Sequence, residues 1–106
     1  METLEINNST FKISQALMDV LKERSWQDNK WGESNHHPFV WLGILSEEVG
    51  EYSECVLEGM FDAWTPEVEA HMRLEAVQAA AVALALVECI DRNKGEMRSK
   101  TISKKR

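Results

Sequence analysis

The glutamates of one short segment are the side chains best placed to do chemistry in this sequence. They are Glu47, Glu48, Glu51, Glu54 and Glu58. All but Glu48 recur at steps of four, three and four, which places them on one face of a helix, and Glu48 reaches Glu51 at i+3. No Lys or Arg between Lys30 and Arg73 offsets their charge. Such acids are either solvated or gathered around a divalent cation such as Mg²⁺, which prefers oxygen ligands.

Two further features favour the cation. Gly50 lies within the acidic run, where it costs a helix about 1 kcal/mol relative to Ala and leaves room for an approach to the backbone. Glu75 and Gln78 stand close together just before a wholly apolar stretch. In an antiparallel pair of helices they would face Glu48 and Glu51, and the two helices would hold an ion between them.

Three long helices are expected to carry these residues, because helix formers dominate and few stretches alternate with the period of two that marks a strand. The predicted helices span residues 9–24, 38–58 and 66–92. Ser9 or Thr10 caps the first helix, which carries an apolar stripe that includes Leu17 and Leu21. The polar segment 25–37 fits neither a helix nor a strand.

Residues that start and stop helices bound the other two. Pro38 begins the second helix, and Gly59 is placed to end it. Thr65 caps the third helix ahead of Pro66 at its first position, and Asn93 marks its exit. A short connection therefore joins the second helix to the third.

Two apolar features of these helices predict how they pack. The second helix has a seam at steps of three and four, formed by Leu42, Leu45, Val49, Tyr52 and Val56. The third helix is apolar on every face over residues 79–87, and three helices leave such a stretch under-covered in a monomer. The predicted fold class is therefore all-α, a bundle of three main helices completed by assembly into a homodimer or a homotetramer.

Composition places this architecture in one domain. The chain has 106 residues, 43% apolar and 28% charged, which suits a single soluble core. We assign residues 1–95 to the domain and the basic residues 96–106 to a disordered tail. No apolar run is long enough to span a membrane and no secretory signal is recognisable, so we expect a cytoplasmic protein. Cys55 and Cys89 are expected to be reduced and buried.

The distribution of charge disfavours nucleic acid as a partner. Residues 92–106 carry seven Lys or Arg and one acid, whereas residues 1–91 carry five Lys or Arg and seventeen acids. The body of the protein is thus strongly acidic, although the net charge of the whole chain is only −6. Such a body repels a polyanion.

Three motifs resemble those of the MazG-like, all-α nucleoside triphosphate pyrophosphatases. The sequences EEVGE at 47–51 and EAVQ at 75–78, separated by 23 residues, are similar to the EExxE…ExxD signature of that superfamily. Upstream, QDNKWGESNH at 27–36 is similar to the RQDxKWGxxNH stretch of its small phage and bacterial members. The resemblance covers roughly residues 24–93, and three motifs in the right order make it specific.

The resemblance implies cleavage of a nucleoside triphosphate, with ribose or deoxyribose, to the monophosphate and pyrophosphate. It implies Mg²⁺ as the cofactor, with Mn²⁺ as the alternative, held by Glu48, Glu51, Glu75 and Gln78. Glu47 would orient the attacking water as a general base. It also implies a role in removing unwanted nucleotides and helices that pair across subunits.

Substrate contacts follow from the same resemblance. Lys30 would offset phosphate charge, with Arg92 as a further cation from the end of the third helix. Trp31, with Trp26 as a second candidate, would stack on the base. The alternative, favoured for Trp26, Trp41 and Trp64, is that the tryptophans pack as core or interface anchors. Gln27 and Asn35 have the donors and acceptors to read a base edge.

One position departs from the family pattern. Gln78 stands where the signature has Asp, and its neutral amide lowers the charge of the metal site by one. The departure leaves two alternatives to an active enzyme. One is a nucleotide-binding helical oligomer with weak or no turnover, and the other is a structural oligomer whose acids are simply solvated.

Overall fold

Three long helices dominate the computed structural model, which describes residues 3–6, 9–12 and 14–99. The elements, in chain order, are β1 (Thr3–Ile6), β2 (Ser9–Lys12), α1 (Gln15–Trp31), α2 (Pro38–Phe61), α3 (Pro66–Arg92) and α4 (Lys94–Ser99). The described part of the chain is mostly helical, which confirms the predicted all-α class. The boundary predicted between residues 95 and 96 falls inside α4, and residues 100–106 of the predicted tail lie outside the described residues.

The start of α1 corrects the sequence prediction. Residues 9–12 form a strand, paired antiparallel with β1 in the register Thr3↔Lys12 and Ile6↔Ser9. The cap is Ser14, whose Oγ accepts a hydrogen bond of 3.2 Å from the Leu17 amide. The β-branched residues of the short strands favour extended backbone over a helix, so α1 begins six residues later than predicted.

The end of α1 is also later than predicted, because the polar segment after Arg24 stays helical as far as Trp31. Gly32 ends the helix with a φ of 75°, in the left-handed region that glycine adopts without a steric penalty. Its amide donates a hydrogen bond of 2.8 Å to the Asp28 carbonyl. Lys30 and Trp31 are therefore presented from the last turn of a helix.

The second helix begins at Pro38 as predicted, but Gly59 does not end it, since α2 continues to Phe61. A Cβ at Gly59 would lie 2.5 Å from Cε3 of Trp64 and 3.2 Å from Cγ1 of Val68. Glycine is needed here because the indole packs directly against the helix backbone. Gly59 thus allows Trp64, in the turn between α2 and α3, to pack against α2.

The third helix has the predicted bounds. Thr65 Oγ1 accepts a hydrogen bond of 3.1 Å from the Val68 amide, and Pro66 occupies the first turn. At the other end, the Asn93 amide donates to the Cys89 carbonyl at 3.1 Å. These caps satisfy backbone groups that a helix leaves unpaired at its ends, so α3 is anchored at both termini.

The core lies where α3 packs against α2. Trp41 of α2 meets Val82, Ala85 and Cys89 of α3, and α3 also packs against α1. Early residues of α2 therefore contact late residues of α3, so the two helices run antiparallel. Both cysteines are buried and free, as predicted.

The seam predicted on α2 faces this core only in part, through Leu45, which packs against it. The side chains of Leu42 and Val49 are 62% and 51% exposed, whereas Trp41 and Cys55 are buried. The buried face of α2 is rotated by about a quarter of a turn from the predicted seam. On α3, Val87 is also exposed, so the apolar stretch 79–87 is not enclosed by the described part of a single chain.

None of the helices in residues 14–99 has both the length and the apolar character needed to cross a membrane.

Candidate metal centre

Three of the predicted ligands converge between α2 and α3. Glu48, Glu51 and Glu75 each direct one carboxylate oxygen into a group whose members all lie within 4.8 Å of one another. The first two are neighbours on α2 at i and i+3, and the third comes from the facing turn of α3. Because the helices run antiparallel, the middle of α2 meets the first half of α3, as the sequence predicted.

This group of carboxylates is partly removed from water. Glu75 is only 8% exposed and is the only buried charged residue in the described part of the chain. One oxygen of Glu48 and one of Glu75, Oε2 in both, are buried and have no hydrogen-bond partner among the described residues. Buried polar atoms without partners are costly, and a bound cation would satisfy both oxygens.

Electrostatic repulsion within the group changes the acidity of its members. Burial raises the pKa of Glu48, and the nearby charges of Glu75, Glu47 and Glu23 raise it further. The pKa of Glu51 is raised first by the close approach of the Glu75 carboxylate and then by the charge of Glu48. Carboxylates that share one site resist simultaneous ionisation unless a cation or a proton joins them. The donor set, three hard oxygens of like charge, could therefore hold a metal ion that prefers oxygen ligands.

The other predicted members of the centre are less closely involved. Glu47 is exposed and influences the group through its charge, which raises the pKa of both Glu48 and Glu51. Gln78 lies one turn beyond Glu75 and lines a cleft that it shares with Glu48. Gly50, expected to admit a close approach, has no atom within 4 Å of the position of a Cβ among the described residues.

The cleft beside the carboxylates has a volume of about 520 Å³ and lies between α1, α2 and α3. Gln27, Lys30 and Trp31 line it from α1, and Glu48 and Gln78 line it from the other two helices. The structure thus places three of the residues predicted to bind substrate on the wall that faces a predicted metal ligand.

Lys30, which lines this cleft, makes cation–π contacts with two tryptophans. Its Nζ lies 4.7 Å from the ring centroid of Trp31 and 4.8 Å from that of Trp26. The aromatic faces hold the ammonium group by attraction to their π-electrons. Both tryptophans are exposed and both line the cleft, so Trp26 is not packed in the core of the described chain.

Asn35 and Arg92, which the sequence predicted to bind substrate, do not line this cleft. Arg92 Nε donates to Asn35 Oδ1 at 3.2 Å and forms an ion pair of 2.8 Å with Glu33, while its Nη2 donates to the Ser34 carbonyl at 3.0 Å. These bonds fasten the loop between α1 and α2 to the end of α3. Ser34, held in this way, does line the cleft.

Sequence reasoning missed two residues that shape the site. Arg24 lines the cleft and joins two helices, with Nε 2.6 Å from Glu88 of α3 and Nη1 2.5 Å from Asp28 of α1. His71 stands one turn before Glu75, and its Nε2 lies 3.1 Å from Glu75 Oε1. The i, i+4 spacing of His71 and Glu75 was the available signal, whereas the pairing of Arg24 with Glu88 spans 64 positions.

Comparisons of the chain with family models, curated proteins and solved structures found no significant match. The functional assignment therefore depends on the residues and their geometry.

Proposed function

We propose that this protein is a Mg²⁺-dependent nucleoside triphosphate pyrophosphohydrolase of the MazG-like kind. The observation that carries the proposal is the convergence of Glu48, Glu51 and Glu75 within 4.8 Å, beside a cleft lined by Lys30 and Trp31. The three carboxylates would bind a divalent cation, and the cleft would bind a triphosphate that carries an aromatic base. The motifs that resemble the MazG-like signature support the same assignment.

The chemistry requires a cation because the substrate and the site carry the same sign of charge. A triphosphate approaching Glu48, Glu51 and Glu75 would be repelled without one. When bound to these three carboxylates and the Gln78 carbonyl, Mg²⁺ would neutralise charge on the phosphate oxygens and on the departing pyrophosphate. Mn²⁺ would serve the same donors.

The residues of the chain would carry the remaining parts of the reaction. Glu47 accepts a proton from the attacking water, whose oxygen forms a bond to the α-phosphorus. The bond from that phosphorus to the oxygen bridging to the β-phosphate breaks, and pyrophosphate leaves with the electron pair. The exposed position of Glu47 suits proton exchange with solvent.

The wall formed by α1 would bind the rest of the nucleotide. Lys30 contacts the faces of Trp26 and Trp31 and is exposed. Its ammonium group would therefore meet phosphate oxygens in the cleft. The base would stack on Trp31, an interaction worth about 1–3 kcal/mol. Gln27 offers an amide to the base edge.

The assembly we propose is a homodimer or a homotetramer. Large apolar side chains are exposed along one side of α2: Phe39, Leu42, Val49, Leu57 and Met60. These positions lie on one side of the helix, and exposed apolar side chains grouped in this way mark an interaction surface. Exposure of Val87 on α3 adds to the apolar area that a second copy would cover.

A second candidate function is nucleotide binding without turnover. The specific observation in its favour is Gln78, which lines the cleft at the position where the MazG-like signature has a carboxylate. A site with one negative charge fewer would hold Mg²⁺ more weakly and would still bind a base and phosphates.

The deciding experiment is a panel of ribonucleoside and deoxyribonucleoside triphosphates with Mg²⁺, with products identified by mass. The proposed enzyme releases pyrophosphate and a monophosphate from at least one of them. Glu48→Gln and Glu75→Gln should abolish the release, and Glu54→Gln, which changes an exposed acid of the same helix, should leave it intact. Binding of nucleotides without any turnover would favour the second candidate.

A further inference from the structure

We infer that His71 is a positioning residue for the metal centre, and this inference depends on the metal centre proposed above. His71 lies outside all three motifs that resemble those of the MazG-like superfamily. Its Nε2 is 3.1 Å from Oε1 of Glu75, the one cluster carboxylate supplied by α3. The imidazole donates its Nε2 proton to that oxygen and leaves Oε2 for the cation.

The surroundings of Glu75 support a separate role for each oxygen, with Oε1 accepting from His71 and Oε2 binding the cation. Oε2 is buried and has no hydrogen-bond partner among the described residues, and the Glu75 side chain as a whole is only 10% exposed. A carboxylate in such a site can rotate about its last torsion, which is broad and roughly two-fold. A hydrogen bond to one oxygen selects the rotation that turns the other towards the cluster.

His71 suits this task because it is close to Glu75 without being part of the core. The two residues are one helical turn apart on α3, which brings their side chains onto the same face. The His71 side chain is 54% exposed, so replacing it removes little buried surface. Hydrogen bonds that orient a metal-binding carboxylate are typically worth about 10–100-fold in metal affinity.

The experiment measures the affinity of the protein for Mg²⁺ and Mn²⁺ by calorimetry. His71→Phe keeps a ring of similar shape but has no donor, and His71→Gln places an amide nitrogen near the position of Nε2. We expect His71→Phe to weaken binding of both ions by about 10–100-fold. His71→Gln should recover most of the loss, and a cooperative melting transition without metal should show that all three proteins are folded.

The outcomes separate this inference from the proposed function. If His71→Phe and the wild type bind the ions equally, the positioning role is wrong and the metal centre stands. If the wild type binds neither ion, the metal centre itself is wrong and the role of His71 falls with it. If His71→Gln is as weak as His71→Phe, the hydrogen bond is not what His71 contributes.

Discussion

Glu48 and Glu75 come from different helices, and each has an Oε2 atom that is buried and has no hydrogen-bond partner among the described residues. Together with Glu51 they bring one oxygen each to within 4.8 Å of the others. Carboxylate oxygens with no binding role are normally in contact with water, because burying them without a partner is costly. Their burial beside one another is what separates this group from the exposed glutamates further along α2.

Mg²⁺ should stabilise the wild-type protein and fail to stabilise Glu48→Gln or Glu75→Gln. A ligand that binds only the folded state adds about 2.7 kcal/mol at a hundred times its dissociation constant. Without metal, both variants should melt at or above the wild-type temperature, because a neutral amide relieves the repulsion. Differential scanning calorimetry with EDTA and with Mg²⁺ measures both effects. Glu54→Gln is the control and should respond to Mg²⁺ as the wild type does.

Without metal, the protein should lose stability as the pH rises from about 4.5 to neutrality. Glu48 and Glu51 have pKa values raised above 4.5 in the fold, so the folded state holds their protons more tightly than the unfolded chain does. Their stabilising contribution is complete below the unfolded value and is lost as the pH passes through the folded value.

The measurement is the melting temperature across this pH range, with EDTA, for the wild type and for a Glu48→Gln, Glu51→Gln double variant. The difference between the two proteins isolates these groups from others, such as Asp19, whose lowered pKa acts in the opposite direction. The wild type should fall relative to the variant as the pH rises. A constant difference would show that these carboxylates do not titrate abnormally.

Gly59→Ala should destabilise the fold by about 1–3 kcal/mol, the usual cost of overpacking. The added methyl group would lie 2.5 Å from Cε3 of Trp64, so the indole or the helix must move. Gly50→Ala is the matched control on the same helix, since no described atom lies within 4 Å of its Cβ position. It should gain about 1 kcal/mol from helix propensity. Urea unfolding of both variants decides whether the close contact is real.

Arg24→Ala should destabilise the protein by roughly 1–2 kcal/mol, because both bonds of a largely buried guanidinium are lost together with its packing. The loss of stability is no larger because the partners, Glu88 and Asp28, are nearly half exposed, and solvent weakens their attraction to Arg24. Lys22→Ala changes an exposed cation of the same helix and should have little effect. A double-mutant cycle with Glu88→Ala should give a coupling energy clearly above zero. If the two substitutions had additive effects on stability, the bond between Arg24 and Glu88 would not stabilise the packing of α1 on α3.

Placing charge on the exposed stripe of α2 should break the proposed assembly. The double variant Leu42→Glu, Val49→Glu should sediment as a monomer of 12.1 kDa, while the wild type sediments at a multiple of that mass. Burying two carboxylates in an apolar interface without partners is strongly unfavourable. Ser25→Glu with Asn29→Glu adds the same charge to exposed positions of α1 and should leave the mass unchanged. A monomeric wild type would contradict the assembly itself.

Local chemistry was enough to predict the bounds of α3. Thr65, Pro66 and Asn93 act on the backbone within a few residues of themselves, so their effect can be recognised without knowing what packs against the helix. The same holds for Glu48 and Glu51, whose spacing puts them together on any helix. The all-α class follows from such local preferences summed along the chain.

Tertiary packing decided which side of α2 faces inward and what Gly59, Arg24 and His71 do. The helix has two apolar sides, and periodicity favoured the one with Leu42 and Val49 because its spacing is regular. The fold turned Trp41 and Cys55 inward instead, since a face is buried only when another helix supplies a complementary surface. Contacts such as Arg24 with Glu88 join residues far apart in the chain, and only the arrangement of the helices brings them within bonding distance.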